Sequence, residues 1–396
     1  MDLLMLGIVI GLTLFGLAMI ASVSVFQSYQ LTTRLVQKGL LEEPSNSYFL
    51  WRSAVHVFVG FIAMGFAALT PYRLWEKLAL PLFILSIGAL LLLFIPGLGN
   101  DYGTAHSWIL VFGFSLQPSE FLKLTLIFYL ALWLQKREQL IVTFKEGFLP
   151  FAVLLILSTF LVAVQPDLGS FLVLSFIAVI MFFIAGGNLL HLIAGFLLAS
   201  VMGLPIILSE QYIRNRFHAF FTLLFNPDDP GIREGVGYQV IQALIAIGSG
   251  GPFGVGYGKS IQKFGYLPEV QADTIFAAMA EELGFFRLLI ILAMYAILII
   301  RGYKIAREAP DRFGFLVATG ITTWIAFQSI LNIAVNLSLF PLTGLTLPFI
   351  SSGGSSLLAT LIGVGVLLNI SMHSTAGAIH ERRPKHRMAK LGLRGA

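Results

Sequence analysis

Ten apolar stretches, each long enough to cross a lipid bilayer as a helix, constrain this chain more than any other feature of its sequence. Their approximate bounds are 3–25, 51–70, 77–96, 118–135, 149–164, 168–186, 188–208, 273–300, 313–338 and 349–371. Because the chain is 57% hydrophobic and only 11% charged, lipid rather than water must surround most of its surface. We therefore predict an all-α, polytopic membrane protein with about ten transmembrane helices and no soluble domain.

The distribution of lysine and arginine predicts the orientation of these helices. If both termini lie in the cytoplasm, fifteen basic residues fall inside, eight fall outside and two lie within helices. This excess on the inner side agrees with the positive-inside rule. We predict one helical membrane domain over residues 1–371, with a large extracytoplasmic loop at about 209–272. Residues 372–396 are predicted to form a basic cytoplasmic tail that favours the anionic inner leaflet.

Composition excludes several classes of chemistry. The chain has no cysteine, which excludes thiolate catalysis, disulfides and cysteine-bound metal, and its seven scattered histidines lack zinc-binding spacing. A net charge of +5 would suit nucleic acid, but the basic residues lie beside membrane segments, so we expect no nucleic-acid partner. A P-loop and a penicillin-binding S-x-x-K pattern both partly match the glycine-rich stretch near residue 255. Neither has the surrounding fold that its motif needs.

Charged residues at the edges of apolar stretches need partners or a function, because a charge in hydrocarbon is costly. Glu120 and Lys123 lie three residues apart in QPSEFLKL, on one face of a helix that starts at Pro118. They predict either a structural salt bridge or a substrate contact in a polar cavity. Asp167 in QPDLGS predicts a cap on the next helix through its carboxylate, with substrate binding as the alternative.

The long loop carries cationic and polar side chains at the outer surface. Arg214 and Arg216 lie among aromatic residues, where guanidinium groups suit a lipid phosphate or a diphosphate, or simply anchor the chain at the interface. The stretch GYQVIQALIAIGS has helical periodicity interrupted by Gln239, and we predict that it lies on or dips into the membrane. The glycine-rich stretch that follows carries Lys259 and Lys263, and its flexible backbone suits close approach to a phosphate or sugar.

Three carboxylates open the eighth apolar stretch. Asp273 stands where the loop enters it, with Glu281 and Glu282 deeper. Because such groups are costly in a membrane, we predict that they line a polar cavity. The pKa of Asp273 is expected to be raised there, which suits a general base. Helix capping by Asp273 is the other interpretation, and the two roles are compatible.

Two further segments predict irregular backbone. After Pro341 and Pro348, the small residues of FISSGGSS interrupt the helical pattern at membrane depth. Such backbone is tolerated only where protein or a water-filled cavity covers it, and close helix packing through small residues is the alternative. The segment NPDDPG contains Asp228 and Asp229 between prolines, which indicates a surface turn rather than a metal site.

Several of these motifs together resemble the SEDS family (shape, elongation, division and sporulation), which includes FtsW, RodA and SpoVE. The matching segments run in the family's order from residue 117 to residue 356: QPSEFLKL, QPDLGS, GYQVIQALIAIGSGGPFGVGYGKS, YLPEVQADTIFAAMAEELG and PLTGLTLPFISSGGSS. The block from Tyr266 to Gly284, joined to TGLTLPFISSGGSS, is the most specific part of the resemblance.

The resemblance implies a peptidoglycan glycosyltransferase that polymerises lipid II at the outer face of the bacterial cytoplasmic (inner) membrane, with undecaprenyl diphosphate as leaving group. It implies that Asp273 is the essential acid, which we interpret as the general base. The positions expected to bind substrate are Trp108, Glu120, Lys123, Asp167, Arg214, Arg216, Gln239, Lys259, Lys263, Glu269, Ser351 and Ser355. The motifs name no certain cofactor, although a divalent cation, Mg²⁺ or Mn²⁺, would suit the diphosphate.

The resemblance also implies partners and leaves rival functions open. The implied partners are a class B penicillin-binding protein, which is a single-span transpeptidase, and other membrane proteins of the divisome or elongasome. Four residues depart from the usual family pattern: Ser107, Gln271, Ala272 and Ser352. One rival function is a flippase or transporter for a lipid-linked precursor, because ten helices with buried charges also suit alternating access. The other is an inactive scaffold that recruits a transpeptidase.

Overall fold

A computed structural model of the protein describes residues 1–95, 99–102, 105–111, 114–226 and 237–373, with Asp229, Gly231 and Gly235 between the last two ranges. Apart from its first two positions, the predicted basic tail lies outside the described residues. Asp228 also lies outside them.

Most of the described chain is helical, as the apolar stretches predict. The helices are α1 (Leu3–Val23), α2 (Val25–Gln37), α3 (Tyr48–Leu69), α4 (Tyr72–Leu92), α5 (Pro118–Lys136), α6 (Leu149–Val164), α7 (Leu168–Ile184), α8 (Leu189–Ser209), α9 (Gln211–Phe225), α10 (Tyr238–Gly250), α11 (Ile275–Arg307), α12 (Arg312–Asn336) and α13 (Gly354–Met372). A π-helical turn, Phe144–Phe148, leads directly into α6.

Each of the ten predicted stretches coincides with one of these helices. Within the described residues, seven helices are long and apolar enough to cross a membrane: α1, α3, α4, α6 with its π-helical turn, α11, α12 and α13. Of the other three, α5 carries Glu120 and Lys123 near its start, α7 has only 17 residues, and the part of α8 that is described with its side chains, Leu189–Ser200, is apolar but short. The structure thus confirms an all-α polytopic membrane protein, but it does not fix the number of crossings at ten.

The segment between α4 and α5 contains a small sheet that the sequence analysis did not predict. Three short strands form an antiparallel sheet there: β1 (Gly99–Tyr102), β2 (Ala105–Val111) and β3 (Phe114–Leu116). Trp108 of β2 pairs with Asn100 of β1, and Leu110 pairs with Ser115 of β3. Strands this short give a weak period-two pattern, which the long apolar runs on either side obscure.

The predicted extracytoplasmic loop also contains regular structure. Its first part forms the amphipathic helix α9, which the sequence analysis did not predict, and its middle part forms α10, where helical periodicity was predicted. The amphipathic helix α2 follows α1 after a single turn residue, Ser24, and was not predicted either.

Helices α12 and α13 form the centre of the bundle. In each of them 78% of the most apolar 18-residue stretch is buried, against 22% in α4 and 28% in α3. Helix α3 packs so closely on α13 that a Cβ atom on Gly365 would lie 2.4 Å from the carbonyl oxygen of Met64. Large side chains such as Phe66 and Phe160 point outward, where a lipid bilayer would cover them.

Polar contacts gather the segments that were predicted to share the cytoplasmic side. The Asp2 carboxylate accepts hydrogen bonds from the Arg301 guanidinium, with the shortest N–O distance at 2.6 Å. The Asp2 backbone N–H donates to Ser371 Oγ at 3.0 Å. The Tyr72 hydroxyl donates to Asp311 at 2.7 Å. The start of α1 and the ends of α11 and α13 therefore lie at one end of the bundle.

A break in α11 anchors the glycine-rich part of the loop. Gly284 has φ of 74°, outside the helical range, and the chain resumes as helix after it. The carbonyl oxygens of Glu281 and Glu282 accept hydrogen bonds from the backbone N–H groups of Val255 at 2.9 Å and Gly256 at 3.1 Å. A Cβ atom on Gly284 would lie 2.1 Å from the backbone nitrogen of Gly254, so only glycine fits at this contact.

We predict that Gly284→Ala lowers the free energy of unfolding by at least about 1–3 kcal/mol, because the positive φ alone costs that much for a residue with a Cβ atom. The measurement is the thermal unfolding midpoint in detergent, followed by tryptophan fluorescence. Gly248→Ala is the matched control, since Gly248 lies inside α10 and a Cβ atom there would have nothing within 4 Å. Its midpoint should stay the same or rise, and equal midpoints for the two variants would contradict this account of the break.

Candidate active site

Asp273 lies two residues before the start of α11, at the end of the long loop. Its backbone carbonyl oxygen accepts hydrogen bonds from two side-chain amides of α12, Asn332 Nδ2 at 3.0 Å and Asn336 Nδ2 at 2.9 Å. The preceding carbonyl oxygen, of Ala272, accepts one from Ser351 Oγ at 2.7 Å. The backbone of Asp273 is therefore fixed to α12 and to the connection between α12 and α13, residues 337–353.

The capping interpretation of Asp273 is wrong. Thr274 occupies the N-cap position of α11, and its hydroxyl donates to the Pro268 carbonyl oxygen at 2.7 Å. Among the described residues, no hydrogen bond to the Asp273 carboxylate is found. The carboxylate of this half-buried residue is therefore available for chemistry.

The surroundings of Asp273 raise the pKa of its carboxyl group to about 7. Burial makes the largest contribution, because it disfavours the charged form. The negative charges of Glu269 and Asp167 raise the pKa further, and the positive charge of Arg216 lowers it. A carboxyl group with this pKa is divided between its acid and base forms at neutral pH, as a general base requires.

Arg216 of α9 is the cation that the structure brings close to Asp273. Its guanidinium stacks on the ring of Tyr212, 4.2 Å from the ring centroid, and donates to the Leu342 carbonyl oxygen at 2.8 Å. A Cβ atom on Gly344, which has φ of 75°, would lie 3.7 Å from Asp273 Oδ2 and 3.9 Å from Arg216 Nη2. The carboxylate and the guanidinium therefore border the same small space over Gly344.

A pocket opens beside Asp273 and draws its walls from three segments of the chain. Gln239 comes from α10, Asn332 and Asn336 come from the end of α12, and Thr343 comes from the connection after it. Gln239 was among the predicted site residues, whereas the other three were not. The signal for Asn332 and Asn336 was present in NIAVN, where two asparagines lie one helical turn apart at the end of an apolar stretch.

Asp167 caps α7, as predicted. Its Oδ1 atom accepts from the Ser170 backbone N–H at 2.9 Å, and its Oδ2 atom accepts from Gln117 Nε2 at 3.2 Å and Ser119 Oγ at 3.3 Å. A Cβ atom on Gly169 would lie 2.8 Å from the Thr343 carbonyl oxygen. The start of α7 thus packs directly against the connection that borders the pocket.

Glu120 and Lys123 form the salt bridge that was one of their two interpretations. The Lys123 ammonium donates to Glu120 Oε1 at 2.7 Å and to Gln328 Oε1 at 3.2 Å, and both charged residues are buried. The Gln328 side chain donates in turn to the Thr346 carbonyl oxygen at 3.0 Å. The ion pair is therefore linked to the connection indirectly, because Gln328 contacts both Lys123 and the Thr346 carbonyl oxygen.

The predicted irregular backbone around FISSGGSS is confirmed, and its serines bind protein atoms. Ser351 Oγ accepts from the Leu347 backbone N–H at 2.8 Å in addition to holding Ala272. Ser355 Oγ accepts from the Gln117 backbone N–H at 3.0 Å, next to the sheet. Trp108, in the same sheet, is half-buried.

Of the four residues that depart from the family pattern, Gln271, Ala272 and Ser352 lie beside this framework. Ser352 shares a hydrogen bond of 3.0 Å with Ser53 of α3, and its backbone N–H donates to the Gln271 carbonyl oxygen at 2.8 Å. Ser107 is buried, and Ala272 uses its carbonyl oxygen to bind Ser351. These contacts hold the Asp273 segment through the backbone carbonyl oxygens of residues 271 and 272, which are present whatever the side chains at these positions.

The expectation that Asp273, Glu281 and Glu282 line one cavity is wrong. Glu281 accepts hydrogen bonds from Ser260 Oγ at 2.5 Å and from the Ile261 N–H at 2.9 Å. Glu282 accepts from Ser22 Oγ, from the Gly258 N–H and from the Lys263 ammonium, the last at 3.1 Å. Both glutamates are buried among these donors, so they fasten the loop to α11 and α1.

The two loop lysines have different environments. Lys263 is 4% exposed, and its ammonium also donates to the Gly258 carbonyl oxygen at 2.6 Å. Lys259 is exposed, and so is Arg214 of α9. Among the described contacts, none joins Lys259, Lys263 or Arg214 to the pocket beside Asp273.

The described residues contain no group of three or more His, Asp or Glu side chains arranged to hold a metal ion. Glu269 is exposed near Asp273. The described donors around Asp273 therefore do not form a cage for a divalent cation.

We predict that Lys263→Met lowers the free energy of unfolding by about 3–5 kcal/mol, because it leaves the Glu282 carboxylate buried without its cation. Lys259→Met is the matched control, since that ammonium lies in solvent, and its unfolding midpoint should equal that of the wild type. Thermal unfolding in detergent measures both. If Lys263→Met were as stable as Lys259→Met, the buried pair would have no anchoring role.

The chain is similar to one family of known proteins over most of its length. The family model of FtsW, RodA and SpoVE, described as "cell cycle protein", matches residues 2–376. The probable peptidoglycan glycosyltransferase FtsW of Trichlorobacter lovleyi is 38% identical over 371 residues, covering 93% of each chain. Stage V sporulation protein E of Bacillus subtilis is 40% identical over 380 residues, covering 94% of this chain and 97% of that protein.

A solved structure is similar over the same length. It is a chain of a peptidoglycan synthase complex described as coordinating polymerization and crosslinking. The two chains are 27% identical and superpose with a TM-score of 0.74, which covers 94% of this chain and 98% of that one. The similarity therefore extends over nearly the whole length of both chains.

Proposed function

The chain belongs to the cell cycle protein family of FtsW, RodA and SpoVE, and from this premise we propose that it is a peptidoglycan glycosyltransferase. The proposed reaction polymerises lipid II, the lipid-linked disaccharide-peptide, into glycan strands. The observation that carries the proposal is the half-buried carboxyl group of Asp273, with a pKa of about 7, which lines a pocket and shares the space over Gly344 with the Arg216 guanidinium.

In the proposed reaction, a hydroxyl group of the acceptor sugar loses its proton to Asp273. The hydroxyl oxygen forms a bond to the anomeric carbon of the donor sugar. The bond between that carbon and the diphosphate oxygen breaks, and undecaprenyl diphosphate leaves with the electron pair. A correctly positioned base contributes about 10²–10⁴-fold to such a step.

The leaving diphosphate needs positive charge, and Arg216 is best placed to supply it. Lys123 and Lys263 are already paired with buried carboxylates, so recruiting either one would leave a buried negative charge unpaired. Arg216 has a planar, always charged group that matches phosphate oxygens. Exposed Arg214 on the same helix would meet the diphosphate as it approaches, since anions are attracted to a cationic surface.

We further propose that the protein lies in the bacterial cytoplasmic (inner) membrane, with both termini in the cytoplasm and Asp273 at the outer face. The excess of Lys and Arg in the inside segments supports this orientation. The grouping of Asp2, Arg301 and Ser371 at one end of the bundle supports it as well, since Asp2 and Arg301 belong to segments assigned inside and Ser371 is the last residue before the predicted cytoplasmic tail.

The proposed partners are a class B penicillin-binding protein and other membrane proteins of the divisome or elongasome. The support is the structural similarity to a chain from a peptidoglycan synthase complex. A chain that makes glycan strands would deliver its product to a transpeptidase most directly if the two enzymes were held together.

We predict that Asp273→Ala binds lipid II with nearly wild-type affinity and makes no polymer, because the base is lost while the rest of the pocket remains. The measurement is polymerisation of lipid II by purified protein, with binding measured on the same samples. Wild-type amounts of polymer from this variant would refute the assignment. A wild type that moved lipid II across vesicle membranes without polymer would instead identify a transporter, and a wild type with neither activity would identify a scaffold.

We predict that kcat/KM falls about tenfold between pH 8 and pH 6, because about nine tenths of Asp273 is deprotonated at pH 8 and about one tenth at pH 6 when the pKa is about 7. Glu269→Gln removes a negative charge that raises this pKa, so the acidic limb of its profile should move to lower pH. Steady-state polymerisation across this pH range is the measurement. A flat profile would exclude Asp273 as a base with this pKa.

A further inference from the structure

Three buried side chains beside Asp273 each have a polar atom without a hydrogen-bond partner among the described residues: Asn332 Oδ1, Asn336 Oδ1 and Thr343 Oγ1. These residues are 1%, 2% and 4% exposed. Buried polar atoms in proteins are nearly always paired, so three exceptions around one pocket need a physical reason.

The orientation of the two asparagine amides follows from their neighbours. Asn332 Nδ2 donates to the carbonyl oxygens of Asp273, at 3.0 Å, and Leu345, at 2.7 Å. Asn336 Nδ2 donates to the carbonyl oxygens of Asp273 and Asn332, both at 2.9 Å. Each NH₂ group thus uses both of its hydrogens. Turning either amide over would place an oxygen against two carbonyl oxygens, so the unpartnered atom must be the amide oxygen.

All three residues line the pocket that Asp273 borders. The pocket as a whole has room for about one water-sized group, which is too little for a sugar ring. Gly344, next to Thr343, is exposed and carries no side chain, so the pocket can be reached from the surface. An occupant would therefore insert a single substituent.

We infer that Asn332, Asn336 and Thr343 form a slot that binds one hydrogen-bond donor of the acceptor sugar, a hydroxyl or amide N–H next to the hydroxyl that Asp273 deprotonates. This inference rests on the proposed function and names positioning residues for it. Amide oxygens only accept hydrogen bonds, so the inserted group must donate. No covalent bond changes in the slot.

The slot links recognition to the position of the base. The same two amides that offer their oxygens to the ligand hold the Asp273 carbonyl oxygen with their nitrogens. A sugar bound in the slot is therefore held at a fixed position relative to the backbone of Asp273. Small errors in such positioning cost large factors in rate, which makes this a useful place for a specificity contact.

Thr343→Val tests the inference, because valine matches threonine in shape and removes only a hydroxyl that has no partner in the described structure. Removing such a group should not destabilise the protein, so the unfolding midpoint should stay the same or rise. In the wild-type background, kcat/KM for lipid II polymerisation should fall about five- to tenfold. In the Asp273→Ala background, where no turnover occurs, the Kd for lipid II should rise by a similar factor.

Two further variants serve as controls. Thr343→Ser keeps the hydroxyl and should retain kcat/KM within about twofold of the wild type. Thr319→Val removes a buried hydroxyl of α12 that does have a partner, the Phe315 carbonyl oxygen at 2.8 Å, so it should affect stability but not polymerisation.

The outcomes separate this inference from the proposed function. If Thr343→Val polymerises and binds lipid II like the wild type, the slot is overturned, an ordered water satisfies these atoms, and the proposed function stands. A lower unfolding midpoint for Thr343→Val would also overturn it, because the hydroxyl would then have a structural partner. If the wild type makes no polymer but Thr343→Val still weakens lipid II binding, the slot stands and the proposed function fails.

Discussion

The hydrogen bonds from two α12 amides to the Asp273 carbonyl oxygen are the interaction on which the rest of the site depends. They join the end of a long loop, a kind of element that is usually mobile, to the most buried part of the bundle. Ser351, in the connection between α12 and α13, donates a hydrogen bond to the carbonyl oxygen of the neighbouring residue Ala272. Glu120, Lys123 and Gln328 support this connection from inside the bundle. The Asp273 carboxylate is thus positioned through backbone contacts, and its own oxygens make no hydrogen bond among the described residues.

The distribution of charge follows from the cost of burying it. Two ion pairs, Glu120 with Lys123 and Glu282 with Lys263, are buried with both partners present. The first lies within α5 and reaches α12 through Gln328, and the second joins the loop to α11. Asp273 is different, because burial and neighbouring carboxylates raise the pKa of its carboxyl group, while Arg216 opposes them without a direct ion pair among those described. Separating paired structural charges from one unpaired titrating group is the arrangement expected of a site that moves a proton.

Much of this could be predicted from the sequence, for physical reasons that differ between elements. Long apolar stretches predict helices because lipid leaves the backbone no other way to satisfy its hydrogen bonds, and the ten stretches all coincide with helices. The capping role of Asp167 could be predicted because a helix cap contacts a residue only three positions away in the sequence. The roles of Glu281, Glu282 and Lys263 were not, since the contacts that join the loop to α11 and α1 link residues 19 to 260 positions apart in the chain. The slot residues Asn332, Asn336 and Thr343 were missed because only the folded connection turns them towards Asp273.

An experimental structure of the Asp273→Asn protein with lipid II bound in a lipid nanodisc would show most directly whether Asp273 is the general base. This substitution keeps the shape of the side chain and removes its ability to accept a proton. The account predicts a sugar hydroxyl within about 3 Å of the substituted side chain, with the diphosphate of a second lipid close to Arg216. A headgroup bound at the opposite end of the bundle, or one whose sugars do not reach the pocket over Gly344, would contradict it.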